Sequence, residues 1–358
     1  MTITTPSASL TKSVPLANFK PLLSAKIDTD EDWFRLRKPQ YMVSPKLDGI
    51  RILLHPTKGP VTRTLKSIPN KHIRECLIKY MEAFPEIVGF DGEIIIGTPE
   101  ISSATAPDAF NRTSSAVMSH EGTPRVTFWI FDQFYSGAPS NHDHAGQYYK
   151  DRYHKLKHTL SVIDHTDTHP NDQVYRTAIF DHRGVYLKLV GQTVCNHISE
   201  IAKYEEQYQR MGFEGIMIRD PLGKYKFGRA TLVGQELIKI KRFCDAEAYI
   251  VGFEELQRNY NAAEEDAFGN VKRSSQQANL VGGNTLGTLR VEVANGPFKG
   301  TFVGVSGFSD ALKQEIWDNK EKYLNQLITF KYQESGSKGV PRFPIFKNFR
   351  NLADIEDL

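Results

Sequence analysis

Cysteine is scarce in this sequence, and its scarcity excludes two kinds of structural cross-link. Only three of the 358 residues are cysteines, Cys76, Cys195 and Cys244, and they are widely spaced. A disulfide framework needs an even set of cysteines, and a structural zinc site needs several cysteine or histidine ligands at set spacings. We therefore expect small buried thiols and a reducing, cytoplasmic compartment, as in the cytosol of a bacterium or of a phage-infected host.

Long apolar runs and a large net charge are absent as well. The first 20 residues, MTITTPSASLTKSVPLANFK, contain no apolar run of the length of a signal peptide or membrane anchor. Their Ser, Thr and Pro content predicts a loose arm over residues 1–20. The 45 basic and 42 acidic residues leave a net charge of +3, so a nucleic-acid partner has to be recognised from local clusters of charge.

The sequence contains two regions with different patterns, which fits a rough expectation of about 150 residues per domain. In the first region strands are predicted at 90–96, 125–134, 185–190, 215–220 and 236–242, and helices at 71–84 and 194–212. The second region has short strands, one helical insert near 310–323 and a polar loop over 257–284. We predict an α+β domain over 21–243, a hinge at Cys244–Asp245 and an all-β OB-fold domain over 245–358.

One lysine interrupts an apolar pattern in the segment YMVSPKLDGIR. The flanking apolar residues predict two strands, and Asp48-Gly49 between them is a turn signal. Lys46 at this junction is costly to bury unless it is paired or used in a reaction. Further charged residues embedded in apolar strands are Glu93, Glu214, Lys239 and Lys241. Because each buried charge needs a counter-charge, we predict that all five share one polar pocket.

Such a pocket contains the groups needed for attack of a lysine on a phosphorus atom. A lysine amine becomes nucleophilic when burial or neighbouring cations lower its pKa. Two carboxylates together with phosphate oxygens suit Mg²⁺, and further cations neutralise charge on phosphoryl oxygens. The alternatives are that Glu93 and Glu214 are only salt-bridge partners of buried lysines, and that Lys239 and Lys241 lie on a solvated face.

Seven segments, in this order, resemble the motifs of the superfamily of ATP-dependent DNA ligases, RNA ligases and mRNA capping enzymes. They are KLDGIR (46–51), TRTLKSIPN (62–70), FDGEI (90–94), FWIFDQF (128–134), FEGIMIRD (213–220), LIKIKR (237–242) and RFPIFKNFR (342–350). The first is similar to the K-x-D-G-x-R nucleotidyl-transfer motif and the last to the R-x-P-x-F-x-x-x-R motif of DNA ligase OB domains. A lone KxDG is a weak signal, whereas seven ordered segments between residues 21 and 350 are specific.

The resemblance implies an ATP-grasp-like nucleotidyltransferase domain followed by an OB domain, in an enzyme that uses ATP and Mg²⁺, with Mn²⁺ as a substitute. It implies that Lys46 is the catalytic nucleophile, which forms a lysine-AMP bond, and that Glu93 and Glu214 bind the metal. It also implies a set of nucleotide contacts, namely Ser44, Pro45, Lys46, Arg51, Arg63, Glu93, Phe131, Glu214, Lys239, Lys241, Arg342, Lys347 and Arg350.

Individual roles follow from the same resemblance. Arg51 and Arg63 would bind the ribose or phosphates of the nucleotide and the 5'-phosphate of a nick. Phe131 would stack on adenine, although an aromatic residue in an apolar strand is as often a core residue. Lys239 and Lys241 would bind the α-phosphate. In the second domain, arginine and lysine residues of RFPIFKNFR would orient pyrophosphate when the two domains close.

The sequence departs from the superfamily pattern just before the lysine. Many relatives carry glutamate two residues before it, where the side chain reads the adenine amino group, but this chain has Ser44 followed by Pro45. We therefore expect backbone contacts to contribute more to adenine selection. NAD is the less favoured nucleotide, because the NAD-dependent relatives carry zinc-finger cysteines that this chain does not have.

Histidines give no metal signal. His142 and His144 in NHDHAG are expected to be loop residues, because no further ligands follow at set spacing. His154, His158, His165 and His169 are expected on the surface.

Local clusters of basic residues predict a nucleic-acid partner. Residues 331–350 hold five Lys or Arg and one Glu with interleaved aromatics, and the loop 270–287 adds two basic residues. The DNA contacts predicted are Arg63, Lys66, Lys272, Arg273 and Lys338. We expect a monomer that binds nicked double-stranded DNA and acts in DNA replication, repair and recombination, with no membrane partner.

Three other functions fit the sequence less well than that of a DNA ligase. An RNA ligase often lacks an OB domain with this C-terminal motif, and an mRNA capping guanylyltransferase has a different one. A catalytically inert OB-fold nucleic-acid-binding protein is disfavoured because Lys46, Glu93, Glu214, Lys239 and Lys241 are all present.

Overall fold

The computed structural model describes residues 19–27, 30–106, 108–137, 145–163, 181–182, 184–241, 243–265, 271–274, 276–333 and 340–350. Most of the predicted N-terminal arm, His142, His144, His165, His169 and Lys338 lie outside the described residues. His154 and His158 are exposed on a helix, as predicted. No helix in the described ranges is both long and apolar enough to cross a membrane.

The first region is built on two sheets. One has the strand order β4-β3-β5-β6-β8-β7 and the other has the order β1-β11-β10-β2-β9. The strands are β1 (Ala25–Ile27), β2 (Tyr41–Pro45), β3 (Ile50–His55), β4 (Gly59–Thr62), β5 (Phe90–Ile96), β6 (Val126–Gln133), β7 (Asp181–His182), β8 (Val185–Leu189), β9 (Thr193–Cys195), β10 (Ile216–Arg219) and β11 (Ile238–Ile240). All five strands predicted from the pattern are present, with ends that differ by a few residues.

Helices cover these sheets, and each buries one face. They are α1 (Lys71–Ala83), α2 (Ile101–Ala104), α3 (Ala109–Met118), α4 (Tyr149–Ile163) and α5 (Ile198–Arg210). In α1 the buried residues Ile73, Leu77 and Tyr80 lie one turn apart, and the Asn70 side chain accepts a hydrogen bond from the Ile73 amide at the N-terminus. The helix predicted over 194–212 is too long, because Thr193–Cys195 form an edge strand that pairs with β2.

The second region is a five-stranded sheet in the order β16-β15-β12-β17-β18. Its elements are β12 (Cys244–Asn259), β13 (Ala263–Glu265), β14 (Val271–Arg273), β15 (Leu280–Val293), β16 (Phe302–Val305), α6 (Asp310–Asp318), α7 (Lys320–Tyr323), β17 (Leu327–Gln333) and β18 (Arg342–Phe349). The Phe346 amide donates to the Ser306 carbonyl at 2.8 Å, so the two edges of the sheet meet as in a small barrel.

The polar loop predicted over 257–284 is wrong in part. Strands β12 and β15 extend into this segment as a long hairpin, with Gln257 opposite Gly282 and Asn259 opposite Leu280, and β13 pairs with β14 beyond them. Backbone pairing holds this hairpin without a buried face, so the apolar alternation that identifies a half-buried strand is missing there.

Two glycines position the segments on either side of the interrupting lysine. A Cβ atom on Gly49 would lie 2.4 Å from the Ile94 carbonyl oxygen, so only glycine lets the turn run this close to β5. Gly215 has φ of +148°, and a Cβ atom there would lie 2.3 Å from the Ile240 carbonyl oxygen. These close approaches bring the turn after β2 against β5, and the residue before β10 against β11.

Candidate active site

A cavity of about 750 Å³ lies at the point where β2, β3, β5, β6, β10 and β11 come together. Its lining includes eight of the residues that the sequence assigns to nucleotide contact, namely Ser44, Pro45, Lys46, Arg51, Arg63, Glu93, Phe131 and Lys239. The cavity is of a size that suits a small ligand. The charged residues that interrupt separate apolar strands thus share one cavity or its immediate border.

Lys46 follows the last residue of β2, and its surroundings restrict its charge. The Lys46 amide donates to the Gly215 carbonyl at 2.8 Å, which fixes the backbone. The amine contacts the Glu214 carboxylate and donates to the Leu47 carbonyl at 3.2 Å. Burial lowers the pKa of the Lys46 amine and the Arg342 charge adds to this, whereas neighbouring carboxylates oppose it. The neutral, nucleophilic form is therefore more accessible than for a surface lysine.

Glu214 bridges two lysines at the edge of the cavity. Its two carboxylate oxygens contact the amines of Lys46 and Lys241, and its side chain is almost fully buried. Burial, followed by the charge of Lys46, lowers the pKa of Lys241 to about 7. When both lysines are protonated, this cluster carries one positive charge in excess, which favours an anionic ligand here.

Glu93 provides a second carboxylate. Its Oε1 accepts a hydrogen bond from the Gly49 amide at 2.9 Å, so the tight turn after Lys46 also orients this side chain. Burial raises the pKa of Glu93, while Lys46 and the Gly49 hydrogen bond oppose the shift. The described residues contain no group of three or more His, Cys, Asp or Glu side chains able to hold a metal by themselves. Two carboxylates fit an ion such as Mg²⁺, which keeps waters and binds substrate phosphates.

Arg51 and Phe131 form one wall of the cavity. Arg51 makes two hydrogen bonds to Asp91, at 2.8 and 2.5 Å, and a third to the Leu22 carbonyl at 2.6 Å. Its guanidinium carbon lies 5.6 Å from the Phe131 ring centroid. The Tyr225 hydroxyl donates to Asp91 at 2.7 Å. Asp91 and Tyr225 were not among the predicted site residues, although Asp91 stands inside the apolar strand FDGEIII and carries the same signal as Glu93.

A second buried ion cluster lies behind this wall. Its residues were not among the predicted site residues either. Asp132 binds Arg152 at 2.8 Å and Arg219 at 2.6 Å. Arg219 lines the cavity, 5.5 Å from the Phe131 ring centroid. The signal available in the sequence was again a charged residue inside an apolar strand, in FWIFDQF and in GIMIRD.

Helix α3 supplies cavity-lining residues that were not predicted from the sequence. Phe110, Ser114, Ser115 and Met118 border the cavity. The buried positions Ala109, Thr113 and Val117 recur every four residues and would have identified the helix.

The three residues of RFPIFKNFR that were predicted to contact the nucleotide, Arg342, Lys347 and Arg350, have ion-pair partners in different regions. Arg342 reaches the first region, where it binds the Asp48 carboxylate at 2.5 Å, two residues from Lys46. Lys347 contacts Asp245, and Arg350 binds Glu247 at 2.9 Å, both within the second region. Of these three, only Arg342 therefore touches the turn that carries the nucleophile.

Two of the five predicted DNA contacts lie near the interface of the two regions. Arg63 is exposed at the rim of the cavity. Lys66 binds Glu265 at the tip of the long hairpin, at 3.0 Å. Arg273 donates to the Asn261 carbonyl within the hairpin, and Lys272 contributes backbone to β14. Their roles toward DNA stay predictions.

Two family models match the two regions of this chain. Residues 21–241 match the family described as ATP dependent DNA ligase domain, and residues 283–350 match the DNA ligase OB-like domain. Among curated proteins, no sequence match was found.

Two solved structures show the extent of the similarity. A Chlorella virus DNA ligase-adenylate is 30% identical and the match covers 93% of this chain and 99% of that chain, with a TM-score of 0.48. A Lig E DNA ligase is 23% identical and the match covers 92% of this chain and 98% of that chain, with a TM-score of 0.58. The similarity to the Lig E DNA ligase shows a shared fold.

Proposed function

This chain belongs to the ATP-dependent DNA ligase family, and we propose that it seals nicks in duplex DNA with Lys46 as the nucleophile that carries AMP. The observation that carries the proposal is the position of Lys46. Its amine is the cavity group whose pKa burial lowers, and it contacts Glu214 beside further cations. These are the conditions under which a lysine attacks phosphorus.

The reaction has three displacements at phosphorus. The Lys46 nitrogen attacks the α-phosphorus of ATP, so a P–N bond forms, the bond to the β-phosphate oxygen breaks, and pyrophosphate leaves. The 5'-phosphate of the nick then attacks the same phosphorus, releases the lysine and leaves adenylated DNA. Finally the 3'-hydroxyl attacks the 5'-phosphorus, its proton is lost, and AMP departs. Each step depends chiefly on alignment and charge neutralisation.

The cations of the site have distinct positions for this chemistry. Lys239 lines the cavity and Lys241 shares Glu214 with Lys46, so both can face an α-phosphate held next to the nucleophile. Arg342 comes from the other region and binds Asp48. Because it reaches the site across the interface, its contact depends on closure of the two regions, and a hinge motion would free the site for DNA.

Glu93 and Glu214 are the residues that would hold Mg²⁺ or Mn²⁺. When bound, the ion neutralises charge on the phosphoryl oxygens. Glu214 also accepts a hydrogen bond from the Lys46 amine and is placed to receive its proton. Phe131 would stack on the adenine ring within the cavity.

Duplex DNA is proposed to lie against both regions. Arg63 at the cavity rim and Lys66 near the hairpin tip would contact phosphates, together with basic residues of the hairpin and of the segment 331–350, including Lys338. We propose a monomer, because two regions joined by a hinge can enclose a duplex without a second subunit. Its three cysteines form no disulfide, which suits a reducing cytosol.

The proposal is tested by incubating the protein with α-labelled ATP and Mg²⁺ and separating the products under denaturing conditions. We expect a covalent band that nicked DNA or pyrophosphate removes, and no band for Lys46→Ala. The matched control is Lys157→Ala, an exposed lysine of α4, which should label normally. A labelled Lys46→Ala protein would refute the assignment of the nucleophile.

Substrate comparisons separate the rival enzymes. Sealing of nicked RNA in preference to nicked DNA would indicate an RNA ligase. Labelling by GTP in place of ATP would indicate a capping guanylyltransferase.

A further inference from the structure

Arg342 crosses from the second region to the first, and two aromatic rings lie beside it. Its Nη1 donates to the Asp48 carboxylate at 2.5 Å. The guanidinium carbon lies 4.8 Å from the ring centroid of Phe343 and 5.9 Å from that of Phe110. At such distances a guanidinium is attracted to the face of an aromatic ring. Phe343 belongs to the second region and Phe110 to the first, so Arg342 contacts one ring of each region.

Phe110 belongs to the face of α3 that borders the cavity. Phe110, Ser114 and Met118 follow one another at intervals of four residues, and all three line the cavity, because side chains four residues apart share one face of a helix. Whereas the neighbouring Ala109 is buried, Phe110 is 38% exposed. Its ring therefore lies at the edge of the cavity, beside the guanidinium, and not in the core of the first region.

A β-bulge brings the second ring to the same place. In the pairing of β17 with β18, two residues, Phe343 and Pro344, lie opposite the single residue Tyr332. Phe343 has φ of +53°, which is unfavourable for a bulky residue and more so before proline. Bulges re-aim side chains, and backbone strain of this kind is found most often at functional sites. Here the strained bulge directly follows the residue that reaches across to Asp48.

The orientation of Arg342 matters for the nucleophile. A hydrogen bond through Nη1 does not fix the plane of the guanidinium, because the group can still turn about that bond, whereas an aromatic ring against its face restricts the rotation. Burial lowers the pKa values of Lys46 and Lys241, and the charge of Arg342 adds to the lowering of both. The guanidinium therefore lies close enough to Lys46 to affect its reaction.

We propose that Phe110 is a positioning residue for Arg342, and that its ring, with that of Phe343, holds the guanidinium at Asp48 once the two regions have closed. Held there, the guanidinium supplies positive charge beside Lys46 as the amine attacks ATP. Phe110 acts on this step through Arg342 and touches no reacting atom. The inference rests on the proposed function, because it assumes that Lys46 reacts with ATP.

The test is a double-mutant cycle in single-turnover labelling of Lys46 by α-labelled ATP with Mg²⁺ and without DNA. Phe110→Leu should lower the rate at saturating ATP about fivefold, the size of one partly desolvated contact between a cation and a ring. The ATP concentration that gives half of the maximal rate should stay nearly unchanged. In the Arg342→Ala background, Phe110→Leu should change the rate less than about twofold, because the contact is already lost.

Two further variants serve as controls. Phe110→Tyr keeps the aromatic ring and should retain most of the wild-type rate. Phe302→Leu replaces another partly exposed phenylalanine, on β16 and outside the cavity lining, and should label at the wild-type rate.

The outcomes separate the two proposals. No labelling of the wild type would refute the ligase function and, with it, the role of Phe110. If the wild type is labelled and Phe110→Leu slows labelling equally with and without Arg342, the positioning role is refuted while the ligase function stands. A wild-type rate for Phe110→Leu would refute it as well. So would a higher ATP requirement at an unchanged saturating rate, which would indicate direct contact of Phe110 with the nucleotide.

Discussion

Two buried clusters in the first region have the same composition in outline, since each places one carboxylate between two cations. Asp132 lies between Arg152 and Arg219, and these side chains are 0%, 1% and 4% exposed. Glu214 lies between Lys46 and Lys241, and here the exposed fractions are 4%, 19% and 19%. The first cluster is almost fully buried, with Arg219 forming part of the cavity wall, whereas both lysines of the second are partly exposed beside the cavity.

The difference between arginine and lysine indicates which of the two clusters is able to react. A guanidinium stays protonated in proteins and binds a carboxylate through two parallel hydrogen bonds, whereas a buried amine can lose its proton. Burial alone would raise the pKa of Asp132, but Arg152 and Arg219 lower it. In the other cluster burial lowers the pKa values of both lysines. We infer that the arginine cluster stabilises the fold and that the lysine cluster performs chemistry.

The largest change in the free energy of unfolding is expected when the carboxylate of each cluster is replaced in turn. Asp132→Asn leaves two buried guanidinium groups without a counter-charge and should lower the free energy of unfolding by about 3–5 kcal/mol. Glu214→Gln should cost less, about 1 kcal/mol, because each lysine can respond by releasing its proton. Urea unfolding of the two variants measures both values. Equal losses of free energy of unfolding in the two variants would show that the lysines do not compensate by releasing protons.

A smaller effect is expected in the pH dependence of stability. The pKa of Lys241 is about 7 when folded, below its ordinary value of 10.5. Between these values the unfolded chain binds more protons than the folded one, so this residue makes stability rise with pH and lose that contribution as pH falls toward 7.

We expect Lys241 to add about 1–2 kcal/mol to the free energy of unfolding between about pH 7.5 and about pH 9. Lys241→Met should lack this rise, and urea unfolding at several pH values measures it. Parallel curves for the wild type and the variant would mean that Lys241 remains charged in the folded protein.

The smallest effect concerns an exposed ion pair. Lys347 and Asp245 are about half exposed, so Lys347→Ala should change the free energy of unfolding by less than about 1 kcal/mol.

The same variant, Lys347→Ala, should change the rate of Lys46 labelling by ATP less than about threefold. Arg342→Ala, which removes the contact to Asp48, should slow this labelling more than tenfold. Similar slowing by both variants would assign Lys347 to the pyrophosphate as well.

How much of the site could be predicted depended on the kind of residue. Lys46 and Glu93 were predicted because charged residues interrupt apolar strands, and Arg51 was predicted from the resemblance of KLDGIR to a family motif. Asp91 and Asp132 carried a similar signal but were overlooked, since nothing in the sequence says which arginine each one binds. The residues of α3 gave no chemical signal, because a serine in a polar segment is unremarkable until its neighbours are known.

The sequence by itself determined the two-part layout, the main strands of the first region and the family. Local sequence patterns specify these features, namely apolar alternation, turn residues and motifs of consecutive residues. The tertiary structure decided which charges are almost fully buried and which are partly exposed beside the cavity, that Arg342 reaches Asp48 while Lys347 and Arg350 stay in the second region, and that a hairpin replaces a loop. Burial, pairing partners and strand register depend on residues far apart in the chain, so no local pattern specifies them.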